Sequence, residues 1–184
     1  MRNTRLEVHI RAEILDPRGK IIKRLPWKRA RSYVQQLIDL LYRGFNNTAT
    51  LVRATNNTEY NVSPAVNALQ LNAGAGVTTY GIQVGTGEGA VEIADYKLGA
   101  QVTTNIAYSS VTVSAPVTDG TTRLLEVVRT FTNNTGATLN VKEVGLVCWD
   151  GVASHFFLID RSLYNVTINN GASASLRYRI KVTV

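Results

Sequence analysis

Cys148 and His155 stand seven residues apart on either side of an Asp150-Gly151 turn, and Asp160 follows five residues later. A thiol, an imidazole and a carboxylate are the parts of a nucleophilic relay, in which the base takes the thiol proton and the acid orients the base. Their setting argues against that use. Cys148 closes the apolar run Val144-Gly145-Leu146-Val147-Cys148, and His155 precedes Phe156-Phe157-Leu158-Ile159. A small thiol in an apolar strand is a packing residue, and buried thiols are inert. Two histidines, His9 and His155, with a single cysteine are too few for a transition-metal site. Glu88, Glu92 and Asp95 could offer oxygen ligands to a surface calcium, but they lack EF-hand spacing and read as solvated loop charges. Gly85-Thr86-Gly87-Glu88-Gly89 has the glycines of a phosphate cradle without its context. No Lys-Ser/Thr follows, Glu88 would repel phosphate, and no βαβ pattern surrounds it. The expectation is a protein that is not an enzyme, with no cofactor, no metal and no small-molecule substrate.

The remaining chemistry is electrostatic. Residues 1–45 hold eleven Lys/Arg against four Asp/Glu, a balance of +7, whereas residues 46–184 hold nine of each. Arg18, Lys20, Lys23, Arg24, Lys28, Arg29 and Arg31 form a basic cluster with Trp27 and Tyr33 interleaved. Such a cluster can neutralise phosphates and stack bases, or it can meet acidic groups of a neighbouring subunit. No nucleic-acid motif accompanies the charge, which favours the subunit contact.

The elements that must carry these residues are mostly strands. Leu6, Val8, Ile10, Ala12 and Ile14 alternate with Glu7, His9, Arg11 and Glu13, the period of a strand with one face buried. Asp16-Pro17-Arg18-Gly19 is turn chemistry, so Lys20 to Leu25 should return as the second arm of a hairpin that Pro26 ends. Val34, Leu37, Ile38, Leu41 and Phe45 repeat at helical spacing, which predicts one helix over 30–45, with Ser32 near its start and Gly44 and Asn46 at its exit. Lys28, Arg29 and Arg31 at that start have the wrong sign for the helix dipole, a hint that they answer to a partner. Strands are expected near 49–54, 61–71, 78–84, 101–115, 122–132, 138–149, 153–160, 163–168 and 173–184, with Asn- and Gly-rich turns between. Asp150-Gly151 suits a two-residue type I′ hairpin turn. In the last strand Leu176, Tyr178, Ile180 and Val182 share one face, and Arg177, Arg179 and Lys181 the other.

This pattern predicts a mainly β fold, an antiparallel β-sandwich or barrel with an N-terminal β-hairpin and one α-helix. We divide it into a basic docking element over 1–45 and a body over 46–184. The two long strands at the chain ends would offer edges for pairing between subunits, with Arg177, Arg179 and Lys181 as edge candidates. With 45% hydrophobic and 18% charged residues the chain is globular in composition. The alternating N-terminus lacks the apolar run of a secretory leader, and no stretch approaches the roughly 20 apolar residues of a membrane span. Synthesis in the cytoplasm and no membrane contact are expected.

Tyr80-Gly81-Ile82-Gln83-Val84-Gly85-Thr86-Gly87 with Asp95-Tyr96-Lys97-Leu98 resembles a pattern of structural proteins in tailed bacteriophages. So does Arg129-Thr130-Phe131-Thr132-Asn133-Asn134-Thr135-Gly136 running into Val141-Lys142-Glu143-Val144-Gly145-Leu146, and the closing stretch from Gly171 to Val184 is similar to their terminal strand. The resemblance covers about residues 80–184. It implies a virion subunit of the head, connector or tail, whose partners are copies of itself, other virion proteins and packaged DNA. It carries over no catalytic or ligand residue. Two other readings stay open: a carbohydrate- or cell-surface-binding module using Trp149, Tyr60, Tyr80 and Tyr96, and a nucleic-acid contact through 18–31.

Overall fold

The computed structural model describes residues 5–30, 33–63 and 69–183. In chain order the elements are β1 (Arg5–Leu15), β2 (Ile21–Arg24), β3 (Lys28–Ala30), α1 (Gln35–Asn46), β4 (Thr50–Arg53), β5 (Glu59–Val62) and β6 (Gly81–Gly85). There follow β7 (Ile106–Tyr108), β8 (Thr112–Val113), β9 (Val117–Asp119), β10 (Thr122–Asn133), β11 (Leu139–Trp149), β12 (Phe156–Ile168) and β13 (Ser173–Thr183). The larger sheet has the order β2–β1–β13–β10–β7; β3 continues along β1, and β8 and β9 pair with β10. A second sheet runs β12–β11–β6, and β4 and β5 make a separate hairpin. All these pairings are antiparallel.

The alternation read from the sequence decides which strand faces meet. Val8, Ile10 and Ala12 of β1, Leu176 and Tyr178 of β13, and Val127 and Phe131 of β10 are buried. They share one cluster with Ile82, Val84, Val144, Leu146, Phe157, Tyr164 and Val166 of the second sheet. Each of the Val, Leu, Ile and Phe side chains among them contributes about 1.5–3 kcal/mol by leaving water. The Ala12 N–H donates to the Tyr164 hydroxyl across the two layers at 3.1 Å. The fold is therefore a β-sandwich, not a closed barrel.

The N-terminal hairpin forms as expected. The Asp16 carboxylate accepts the N–H groups of Arg18 and Lys20, and Gly19 takes the positive φ of +79° that the turn needs. The first strand, however, is no appendage. β1 pairs with β13 along its whole length, so most of the expected docking element is built into the body. The chain then runs back along β1 as β2 and β3; the Leu25 N–H still donates to Ala12, and Pro26, which has no N–H, separates the two pieces.

Several boundaries move. The helix begins at Gln35 rather than 30, because Lys28–Ala30 pair with β1 and Val34 takes extended backbone as the N-cap. Ser32 and Arg31 lie outside the described residues. Asn47, in left-handed conformation, ends the helix. The expected strands over 153–160 and 163–168 are one continuous β12, while 101–115 contributes only the short β7 and β8. Of the strand expected over 61–71, Asn61 and Val62 belong to β5 and residues 64–68 lie outside the described residues. The β11–β12 turn is a six-residue loop, not a two-residue type I′ turn. Gly151 has φ +88° but Asp150 keeps negative φ; its side chain accepts the Val152 N–H and so makes an Asx turn instead.

Candidate functional site

The outer face of the large sheet carries a network of paired charges. Glu7, His9, Arg11 and Glu13 on β1 stand opposite Lys181, Arg179, Arg177 and Ser175 on β13, and Glu126 of β10 faces Arg179 from the other side. Glu7 meets Arg29 at 3.3 Å, Lys181 at 3.2 Å and His9 at 3.0 Å. Hydrogen bonds from His9 and Lys181 hold its carboxyl down to about 2. Glu13 pairs with Arg24 at 3.0 Å and Arg11 at 3.3 Å, and Glu126 with Arg179 at 2.7 Å and Arg177 at 3.4 Å. Trp27 lies between two guanidinium groups, Arg11 at 4.6 Å and Arg179 at 4.3 Å from its ring centre, a cation–π stack.

This arrangement revises the edge reading. Arg177, Arg179 and Lys181 sit on a strand hydrogen-bonded on both sides, by β1 and by β10, so its backbone has nothing left to offer a neighbouring chain. Three glutamates hold their side chains. The sheet edge near the N-terminus is instead β2 and β3, short, basic and interrupted by proline, features that discourage strand addition. Of the basic candidates, Arg24 and Arg29 belong to the ion-pair network and Lys28 donates to the Leu163 carbonyl at 2.9 Å. Arg18, Lys20 and Lys23 are exposed at the hairpin tip with no acidic partner among the described residues. Arg31 lies outside them.

The second surface is helix α1. Its buried residues are Gln36, Leu40 and Arg43, and only Leu40 is apolar. The apolar positions that made the helix legible divide: Val34 is buried and Leu37 packs on the core, whereas Ile38 is 62% and Phe45 83% exposed, with Tyr42 beside them at 54%. Backbone bonds fix the orientation, with Gln35 N–H donating to Ile93 at 3.0 Å and Val34 N–H to Ile159 at 3.4 Å. Arg43 reinforces it by donating to the Ser63 carbonyl at 2.5 Å. Gln36 is fully buried, and its amide finds no hydrogen-bond partner among the described residues.

The residues that suggested chemistry are occupied by the fold. Cys148 is completely buried, burial pushes its thiol up, and it faces the Phe157 carbonyl at 3.5 Å. His155 is oriented by Asp150, not Asp160, at 2.8 Å, and Tyr60 stacks on its ring with centroids 3.9 Å apart. Asp160 is buried elsewhere, where together with burial it raises the Tyr33 hydroxyl to about 12. Glu88 pairs with Lys142 at 2.8 Å, while Asp95 accepts from the Glu92 N–H and from Arg161. No group of three metal-binding side chains forms among the described residues.

The glycine-rich loop does cradle an anion, but the anion is the chain's own. One Glu143 oxygen accepts the N–H groups of Gly87 at 3.1 Å and Ala100 at 2.7 Å; the other accepts Gly99 N–H at 3.1 Å and Arg161 Nε at 2.8 Å. Burial would raise the Glu143 carboxyl, yet the Ala100 N–H, Arg161 and the Gly99 N–H outweigh it and hold it below the usual range. Arg161 also bonds Asp95 at 2.8 Å and the carbonyls of Ala90 and Gly89. A Cβ on Gly85 would stand 2.5 Å from the Glu143 carboxylate, so only glycine fits there. Arg129, 1% exposed, donates to the carbonyls of Ser109, Tyr80, Ile82, Gly74 and Val77 with Tyr108 under its guanidinium. Asn133, also buried, bonds the Ala137 and Ile168 carbonyls and the Thr135 N–H. Within the segments behind the phage resemblance, Arg129, Asn133 and Glu143 thus fasten the fold internally. Sequence reading missed Glu143 and Arg161; the available signal was a charge inside an otherwise apolar strand.

No protein-family model, no curated protein and no solved structure matches the chain.

Proposed function

We propose that the chain is a structural subunit of a tailed-phage particle, head-associated, connector or tail, that acts by assembling through surfaces of its β-sandwich. One observation carries the assembly part: α1 turns Gln36, Leu37, Leu40 and Arg43 inward and leaves Ile38, Tyr42 and Phe45 exposed. A contiguous apolar patch of this kind on a charged protein is what a binding surface looks like. The virion part is supported by the resemblance of residues 80–184. The aromatic residues of the carbohydrate reading are engaged with other side chains: Tyr80 against Trp149 and Phe156, Tyr60 on His155, Tyr96 under Arg53. Mass spectrometry of purified particles from the source phage is expected to find the chain, and an Ile38→Glu/Phe45→Glu variant is expected to be missing from them. Wild-type protein absent from particles refutes the reading.

The exposed tip with Arg18, Lys20 and Lys23 favours a second reading, contact with packaged DNA. Binding to duplex DNA should then weaken steeply between 50 and 200 mM salt, by an order of magnitude or more for a few phosphate contacts. Binding that ignores salt counts against it.

A further inference from the structure

We propose that the cleft between β3 and β12 is a binding site for a medium-chain aliphatic carboxylate, its tail in the cleft and its head on Lys28. The inference does not rest on the assembly reading. Strand pairing builds the cleft. Lys28 and Ala30 stand opposite Ile10 and Val8 in the antiparallel register of β3 and β1, so they share the inward face of the large sheet. β12, at the edge of the second sheet, forms the far side. Ile10, Ala30, Val91, Leu163 and Tyr164 make the apolar wall of a cavity of about 300 Å³. The Ala12 N–H holds the Tyr164 hydroxyl, and Ser162, which also lines the cavity, donates its hydroxyl to Asp160 at 3.2 Å. The wall therefore meets an occupant mainly with hydrocarbon.

Lys28 supplies the charge. Its ammonium donates to the Leu163 carbonyl at 2.9 Å, which carries it across the cavity from β3 to β12. Lys142 and Lys181 pair with Glu88 and Glu7, and Arg29 pairs with Glu7 on the outer face. Lys28 has no carboxylate partner among the described residues, and an ammonium has three donors to place. A hydrocarbon wall with one unneutralised cation calls for an anion that has a tail. A bare phosphate would leave the wall wet, and an alcohol would leave the ammonium unpaired. Ligand cavities begin near roughly 300 Å³, and a helix about 10 Å across does not enter one of this size. At roughly 30 Å³ for a water-sized group, the cavity holds about ten non-hydrogen atoms, the size of octanoate.

Equilibrium dialysis of the full chain against labelled octanoate tests the site. One molecule should bind per chain, with a dissociation constant below about 1 mM, within reach of about ten well-buried atoms. From butanoate to octanoate each added methylene should tighten binding about fourfold, and the gain should stop once the cavity is full. Octanol should bind at least about tenfold more weakly than octanoate. Lys28→Met should weaken octanoate by a similar factor and leave octanol unchanged. Val91→Trp, which fills the cavity from a loop, should abolish binding of both. Lys28 is exposed and Val91 lies outside the strands, so circular dichroism of both variants should match the wild type. Absence of saturable octanoate binding overturns the site. So does equal affinity for octanoate and octanol, or full octanoate affinity in either variant. These measurements need no particles, so their failure leaves the assembly reading standing.

Discussion

Replacing Glu143 by glutamine changes one oxygen to an NH2 group and removes a charge, with almost no change in shape. In the native site each oxygen accepts two donors: Gly87 and Ala100 on one side, Gly99 and Arg161 on the other. Whichever way the amide turns, its NH2 must face two N–H groups, so two hydrogen bonds are lost. Arg161, itself nearly buried, is left with Asp95 as its only carboxylate. Hydrogen bonds to a charged group are worth about 1.5–3 kcal/mol each, and breaking one side of a buried pair costs about 3–5 kcal/mol. We expect Glu143→Gln to cost about 3–5 kcal/mol, a large share of the roughly 5–15 kcal/mol that stabilises a domain. Urea unfolding reads this directly: with a slope near 2 kcal/mol per molar, the midpoint should fall by about 2 M. Hydrogen exchange at the Gly87, Gly99 and Ala100 amides should accelerate, because the carboxylate is their acceptor. The pH dependence has a definite sign. Since the folded carboxyl sits below its ordinary value, its contribution is complete above the ordinary carboxylate range and is lost as pH falls through the lower folded value. The glutamine variant should lose that part of the acid sensitivity. A loss under about 1 kcal/mol with unchanged exchange would refute the claim that Glu143 holds the 86–100 loop.

Three further outcomes follow from the same structure. Gln36→Leu should stabilise the protein by about 1–2 kcal/mol in urea unfolding, because it removes a buried amide with no partner among the described residues; a destabilised variant would mean that Gln36 has a partner. Arg129→Lys should cost at least about 2 kcal/mol by the same measurement, since an ammonium cannot reach carbonyls arrayed around a planar fork; a neutral effect would show that the carbonyls of Ser109, Tyr80, Ile82, Gly74 and Val77 do not need the guanidinium. The Glu7 cluster should contribute stability that is complete above the ordinary carboxylate range near 4.5 and fades as pH falls through about 2. NMR titration of the Glu7 carboxyl carbon tests this, and a midpoint near 4.5 would show that His9 and Lys181 do not hold it.

The strands were legible because each reports its buried face by alternation. β1, β10, β11 and β13 lie within about one residue of their expected ranges at most ends, and the turn at Asp16–Gly19 follows from local chemistry alone. Sheet order was not legible, since nothing in the period of β13 says that β10 takes its far side. A strand with basic residues on its outer face looks the same at an edge and in the middle. The loop after β11 misled for a related reason: Asp-Gly suits a tight turn, but here the Asp150 side chain is engaged by Val152 and His155, and those bonds need a longer loop. Among candidate site residues, the basic cluster was visible as charge and its pairs with Glu7 and Glu13 form within the N-terminal strands, whereas the pairing of Arg177 and Arg179 with Glu126 depends on β10 and β13, which are distant in sequence. The Glu143–Arg161 clamp was hard to read because three of the four donors to Glu143 are backbone N–H groups of a distant loop, which carry no residue signature.

Helix α1 is where local pattern and tertiary structure part company, and that disagreement bears on function. Its spacing describes an amphipathic helix, and hydrophobic burial alone would turn Ile38, Tyr42 and Phe45 toward the β4–β5 hairpin. Instead the backbone bonds to Ile93 and Ile159, and the Arg43 bond to Ser63, hold Gln36 and Arg43 inside. An isolated molecule in this conformation carries two costs together, a buried amide with no partner among the described residues and an apolar ridge in water. The buried amide draws nothing from a partner. The ridge does, because covering it recovers the transfer free energy that the fold leaves unused. The electrostatic face differs: its cations already meet carboxylates, so a partner there would have to displace existing ion pairs. Association is therefore expected to be driven at α1, with the Arg11–Trp27–Arg179 stack and its glutamates contributing orientation rather than affinity.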